Sequence, residues 1–231
     1  MSSFYTHMRL YCERSSDGLL GEPFNLFSSL GFFVAGWLLL YLYRKHRSQT
    51  NAMPEIIALI VMTFAIGMGS AIFHSFATRG SILFDVIPIA IFVLFFTYVF
   101  ARDLLGLGKT LSLLLLLLLI AINLAYKSYV FRAIDGYVSY IPTFMFLLAL
   151  SLYMLIKRHP SALRIAFASC IAFASLYFRT MDRAWCSDIP IGTHFMWHLL
   201  NAALVYMLVR ELIVYRRPDA EFHCDIASSH K

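Results

Sequence analysis

In the segment HFMWH, His194 and His198 stand four residues apart. On a helix that spacing sets both imidazoles on one face, about one turn apart, the geometry in which two histidines grip one metal ion. Ser70 and His74, in SAIFH, share a helical face by the same spacing. Three neutral imidazoles with one position left for water form a usual catalytic zinc site. Asp85 is then either a fourth ligand or an outer group that orients or deprotonates the water. Ser70 is placed to hydrogen-bond that water or a developing oxyanion. Blander readings compete with this one. A lone histidine in an apolar helix is usually packed or hydrogen-bonded, and the same set could form a proton relay. His7, His46, His159, His223 and His230 fall in expected loops or tails, where solvated side chains are the default.

The elements that must position these residues are membrane spans. The 231 residues fit one domain, 1–231, but 60% are hydrophobic and only 14% charged, too apolar for an ordinary soluble globule. Several windows of about 18 residues lack any charge, as a hydrocarbon layer of about 30 Å demands of a helix. The expected fold is an all-α integral membrane protein, a bundle of seven transmembrane helices. The spans run Phe24–Tyr43, Pro54–Phe76, Ser81–Ala101, Lys109–Tyr126, Tyr137–Ile156, Ser161–Phe178 and Ile191–Tyr215. The fourth, with its leucine run, reads as lipid-facing filler. Residues 1–23 form an N-terminal segment with no apolar stretch of the kind a cleaved signal has, and residues 216–231 form a polar tail.

The net charge of +6 lies in short loops between apolar runs, so it speaks of orientation rather than of a nucleic-acid partner. About 12 of the 19 lysines and arginines fall on the side holding the Arg44–Arg47, Arg102–Lys109 and Lys157–Arg164 loops and the tail with Arg210 just before it, which makes that side cytoplasmic. The N-terminus is then outside and the C-terminus inside. His74, late in the second span, Asp85, early in the third, and His194 and His198, early in the seventh, all fall at one depth near the outer face. Ionisable groups within spans are costly and face the bundle interior, so a shared level marks a site.

Cys12 and Cys186 both fall on the outer side, where the compartment permits a disulfide that would tether the N-terminal segment over the site; two separate thiols are the alternative. Cys170 is expected in the core and Cys224 in the cytoplasm. Glu13, Ser15, Ser16, Asp17, Glu22 and Asn25 gather oxygens that could coordinate calcium, although solvated and helix-capping roles are commoner.

The motifs together resemble the alkaline ceramidase family. GMGSAIFHSFATRGSILFD, Gly67 to Asp85, is similar to its serine, histidine and aspartate signature; HFMWH matches its last-helix histidine pair; EPFNLFSSLG, Glu22 to Gly31, resembles the opening of its first helix. Asp182 and Cys186 also sit as in that family's loop before the last helix. The wider superfamily includes adiponectin-receptor-like proteins. The resemblance implies zinc on His74, His194 and His198, with Asp85 and Ser70 as the catalytic groups. It also implies a Cys12–Cys186 link and an N-terminal calcium site, here carried by Glu13 and Glu22. The stretch from Cys12 to Glu22 is shorter than the family's, and Tyr11, Ser15 and Asp17 depart from its acidic pattern.

The activity so implied is hydrolysis of the N-acyl amide of ceramide or a related lipid to a fatty acid and an amine. Partners would be the lipid substrate and the membrane, with no nucleic acid and no obligate protein partner. The short loops point to a bacterial member in the cytoplasmic (inner) membrane, its site towards the non-cytoplasmic side. The alternative is a zinc-containing seven-helix lipid receptor or binding protein without turnover; a proton-coupled transporter is a third reading.

Overall fold

The computed structural model describes residues 4–46, 53–130 and 140–215, and within them the regular elements are helices. The tail from Arg216, with Cys224, His223 and His230, and the expected start of the fifth span at Tyr137 lie outside the described residues. A short helix α1 (Pro23–Ser28) is followed after Ser29 by α2 (Leu30–His46). Then come α3 (Pro54–Phe76), α4 (Ile82–Val99), α5 (Lys109–Val130), α6 (Ile141–Ile156), α7 (Ala162–Met181) and α8 (His194–Tyr215). Proline opens α1, α3 and α6, where the missing N–H costs no helical hydrogen bond.

Six helical stretches are long and apolar enough to cross a membrane: Pro23–His46, Pro54–Phe76, Ile82–Leu104, Lys109–Ser128, Ala162–Met181 and His194–Tyr215. This is the make-up of a multi-pass membrane protein. The remaining expected span, α6, is an apolar helix of 16 residues, shorter than the other six.

Helix α3 packs along α4, α7 along α8, and α2 lies between α3 and α8. The α3–α4 seam is closest where the sequence removes bulk. A Cβ at Gly69 would collide with the Phe84 carbonyl oxygen. Pro88, inside α4, has no N–H to give that same carbonyl, so the loosened turn and the bare glycine meet. Helix α4 continues through a π-helical turn, Phe100–Leu104. Leu111, Leu113, Leu114, Leu117 and Leu118 of α5 are exposed, as expected of a lipid-facing span, while Leu119 is buried. Cys170 is a correction: it is exposed on α7 rather than in the core. Hydrocarbon accepts the same residue types as a core, so apolarity alone does not choose the buried face.

The N-terminal segment lies over one end of the bundle. Its backbone pairs with the α3–α4 connection through Met8 N–H to Ala77 O (2.7 Å), Arg79 N–H to Thr6 O (3.1 Å) and Gly80 N–H to Phe4 O (2.9 Å). It is bonded to the α7–α8 connection through Cys12 and Cys186.

Candidate metal centre

Two helices bring the three histidines together. His74 comes from the last turn of α3, and His194 and His198 from the first two turns of α8. All three are buried, and one ligand atom of each lies within 4.8 Å of the others. The ring centroids are 5.3 Å apart for His74 and His194, and 4.7 Å for each of the other two pairs.

Hydrogen bonding assigns the ring nitrogens. His74 Nδ1 lies 2.6 Å from Glu22 Oε2, and His198 Nδ1 lies 2.9 Å from the Asn25 carbonyl oxygen and 2.8 Å from Ser28 Oγ. A carboxylate and a carbonyl only accept, so each Nδ1 carries its proton and each Nε2 presents a lone pair. His74 Nε2 is buried without a hydrogen-bond partner, as is His194 Nδ1. His198 Nε2 has only a long contact, 3.4 Å, with Ser70 Oγ. Three buried imidazoles, each with a ring nitrogen free of a strong partner, fit a divalent metal ion. Orphaned buried acceptors would otherwise be costly.

Ser70 and Asp85 stand beside this cluster, not in it. Ser70 Oγ is 3.0 Å from Ser29 Oγ and interacts with the Asp85 carboxyl group, and both residues are buried. The three-histidine group does not include Asp85.

The N-terminal segment completes the walls. The Tyr11 ring stacks on His194 at 3.6 Å, with 15° between planes. Burial pushes the Tyr11 hydroxyl well above its ordinary range, and the Arg179 guanidinium opposes that rise. Asp182 is the fastener. Its Oδ1 accepts from the backbone N–H groups of Thr193 (2.7 Å) and His194 (2.9 Å), and its Oδ2 from that of Cys12 (2.8 Å). One carboxylate thus caps α8 and holds the N-terminal segment. Gly192 adopts φ +68°, where a side chain would strike Asp182 and Cys12, so α8 starts at His194 rather than at the expected Ile191.

Glu13 and Glu22, the two expected calcium residues, both make contacts within the protein. Glu13 accepts from the backbone N–H groups of Phe24 and Asn25 and so caps α1. Burial pushes its carboxyl up, and those two hydrogen bonds pull against the rise. Glu22 is shared among His74, Asn25 Nδ2 (3.1 Å) and Arg14, whose Nη1 is 3.7 Å from Glu22 Oε1 and donates to the His74 carbonyl (3.1 Å). Both Arg14 and Glu22 side chains are fully buried. This is an internal ion pair. Ser15, Ser16 and Asp17 are exposed, and Asp17 pairs with Arg9. Sequence reasoning gave no role to Arg14, Tyr11, Ser28, Ser29 or Arg179. Only their nearness to the Glu22–Gly31 motif or the last loop could have flagged them.

Below the histidines lies an apolar cavity of about 100 Å³. Its walls include Phe32, Ile66, Phe92, Phe144, Trp197 and Leu208, with Tyr140 at the histidine end. Trp197 sits between the two α8 histidines in sequence. Leu208 is ten residues beyond His198, about 15 Å along the helix.

No family model matches this chain, and no curated protein matches it.

Proposed function

We propose that this protein is a zinc-dependent intramembrane amidohydrolase, cleaving the N-acyl amide of ceramide or a related lipid to a fatty acid and an amine. The observation that carries the reading is the buried cluster of His74, His194 and His198, with Ser70 and Asp85 beside it and an apolar cavity beneath. In this reading α6 is the fifth of seven spans and the N-terminal segment faces the non-cytoplasmic side of a bacterial inner membrane. The loop charges support that orientation.

Zinc on the three histidines supplies Lewis acidity that lowers the pKa of water from about 15.7 towards about 7. Asp85 takes a proton from the attacking water as its oxygen bonds to the amide carbonyl carbon. The Ser70 hydroxyl donates to the oxygen that becomes negative. As the C–N bond breaks, Asp85 returns the proton to nitrogen, so one molecule of water yields a fatty acid and a free amine. Glu22 holds the His74 imidazole, and Asn25 and Ser28 that of His198, in the ligating tautomer throughout. The cavity takes the acyl chain, and the buried walls keep bulk water away.

The test is elemental analysis of the purified protein and a lipid panel of ceramides of several chain lengths, N-acyl amino acids and phospholipids, assayed with and without chelator. Stoichiometric zinc and chelator-sensitive amide hydrolysis are expected. His74→Ala that kept both full zinc and full hydrolysis would overturn the reading.

A further inference from the structure

Each ring in the histidine cluster has to be aimed, because the last torsion of a histidine side chain is broad and roughly two-fold. Hydrogen bonds aim two of the three: Glu22 holds His74 Nδ1, and Ser28 with the Asn25 carbonyl holds His198 Nδ1. His194 Nδ1 is buried with no hydrogen-bond partner. His194 is also the first residue of α8, so it lacks the preceding turn on which a helical side chain usually rests.

Tyr11 supplies that missing support. Its ring lies on the His194 ring at 3.6 Å, with 15° between planes, and the residue is only 7% exposed. It also meets two rings of α3, Phe73 at 6.4 Å and His74 at 5.4 Å. Swinging the His194 imidazole out of its plane would drive it into the phenol. Tyr11 is in turn fixed from the residue beside it. Cys12 is bonded to Cys186, and its N–H donates to Asp182, the carboxylate that also accepts from the His194 N–H. Backbone and ring of His194 are thus both held at the junction of the N-terminal segment with the α7–α8 connection. A metal ion withdraws electron density from the imidazole it binds, and an aromatic face is a favourable neighbour for the resulting positive ring.

We propose that Tyr11 is the positioning residue for His194 in the metal centre, acting through its ring rather than its hydroxyl, so that the N-terminal segment is a working part of the site. Stacking does for His194 what hydrogen bonds from Glu22 and Ser28 do for the other two ligands. This rests on the zinc-binding half of the reading above and is independent of which amide is cleaved.

The test uses the full-length protein in detergent, freed of metal and titrated with zinc against a chelating indicator, then with cobalt to read the ligand-field spectrum. Tyr11→Phe keeps the ring and should bind zinc as the wild type does. Tyr11→Leu removes the ring and should weaken zinc binding about tenfold, the lower end of what an outer partner of a metal ligand contributes, and shift the cobalt bands. Tyr11→Met, a flexible filler without a ring, is read in the same way where Tyr11→Leu does not fold. A side chain that only filled space would change the melting temperature and leave the affinity and spectrum of the folded protein untouched. Wild-type affinity in the folded ringless variant, or an equal loss in Tyr11→Phe, overturns the proposal and leaves the zinc reading standing. A wild type that binds neither metal overturns both. Neither measurement needs turnover, so failure of the amidohydrolase reading alone is seen separately, as zinc bound without hydrolysis of any lipid in the panel.

Discussion

Glu22 Oε2 and His74 Nδ1 lie 2.6 Å apart, joining the start of the first membrane helix to the end of the second through two buried side chains. Arg14 closes the group from the N-terminal segment. The carboxylate sets the histidine's tautomer, and the guanidinium keeps the carboxylate's charge compensated where water does not reach.

Replacing Glu22 with Gln keeps the shape and removes the charge. Zinc affinity should fall by about 10–100-fold, the usual cost of losing an outer partner of a metal ligand. Competition titration of the metal-free protein with a zinc indicator measures it.

Asp85→Asn separates metal binding from turnover. Zinc content should stay stoichiometric, because Asp85 stands outside the three-histidine group. Amide hydrolysis should drop by about 10²–10⁴-fold, the contribution of a positioned acid or base. Unchanged turnover in the zinc-loaded variant would remove Asp85 from the mechanism.

Asp182→Ala strands three backbone N–H groups at once. Each is part of the frame around His194, so the variant should lose about 1–3 kcal/mol of stability and release zinc at a lower temperature. Thermal unfolding in detergent, followed with and without added zinc, tests this.

Val205 lines the cavity seven residues beyond His198, about 10 Å deeper along α8. Val205→Trp should block the lower cavity. Hydrolysis of long-chain amides should fall at least about tenfold, while short-chain amides are spared. A chain-length series of one headgroup distinguishes this from general misfolding, which would lower every member alike.

Six of the seven expected spans were legible because length and apolarity are what a bilayer demands, and a membrane reduces position to depth. That is why His74, Asp85, His194 and His198 could be set at one level from order along the chain alone. Their lateral meeting needed packing information, such as the Gly69 notch against Phe84, that no periodicity carries. The cap of α8 was hidden because Asp182 acts from twelve residues before His194, across a turn closed by Gly192. Arg14 reads in sequence as one more loop cation; only the fold reveals that it is buried against Glu22. Cys170 misled because lipid and protein core select the same side chains.

The contact between Cys12 and Asp182 joins residues 170 positions apart, and the sulfur bridge beside it spans 174. A ribosome delivers Tyr11, Arg14 and Glu22 early and His194 and His198 last. The walls and two of the imidazoles therefore cannot meet until nearly the whole polypeptide has been inserted. Truncated or half-inserted products are left without a finished histidine cluster until α8 arrives.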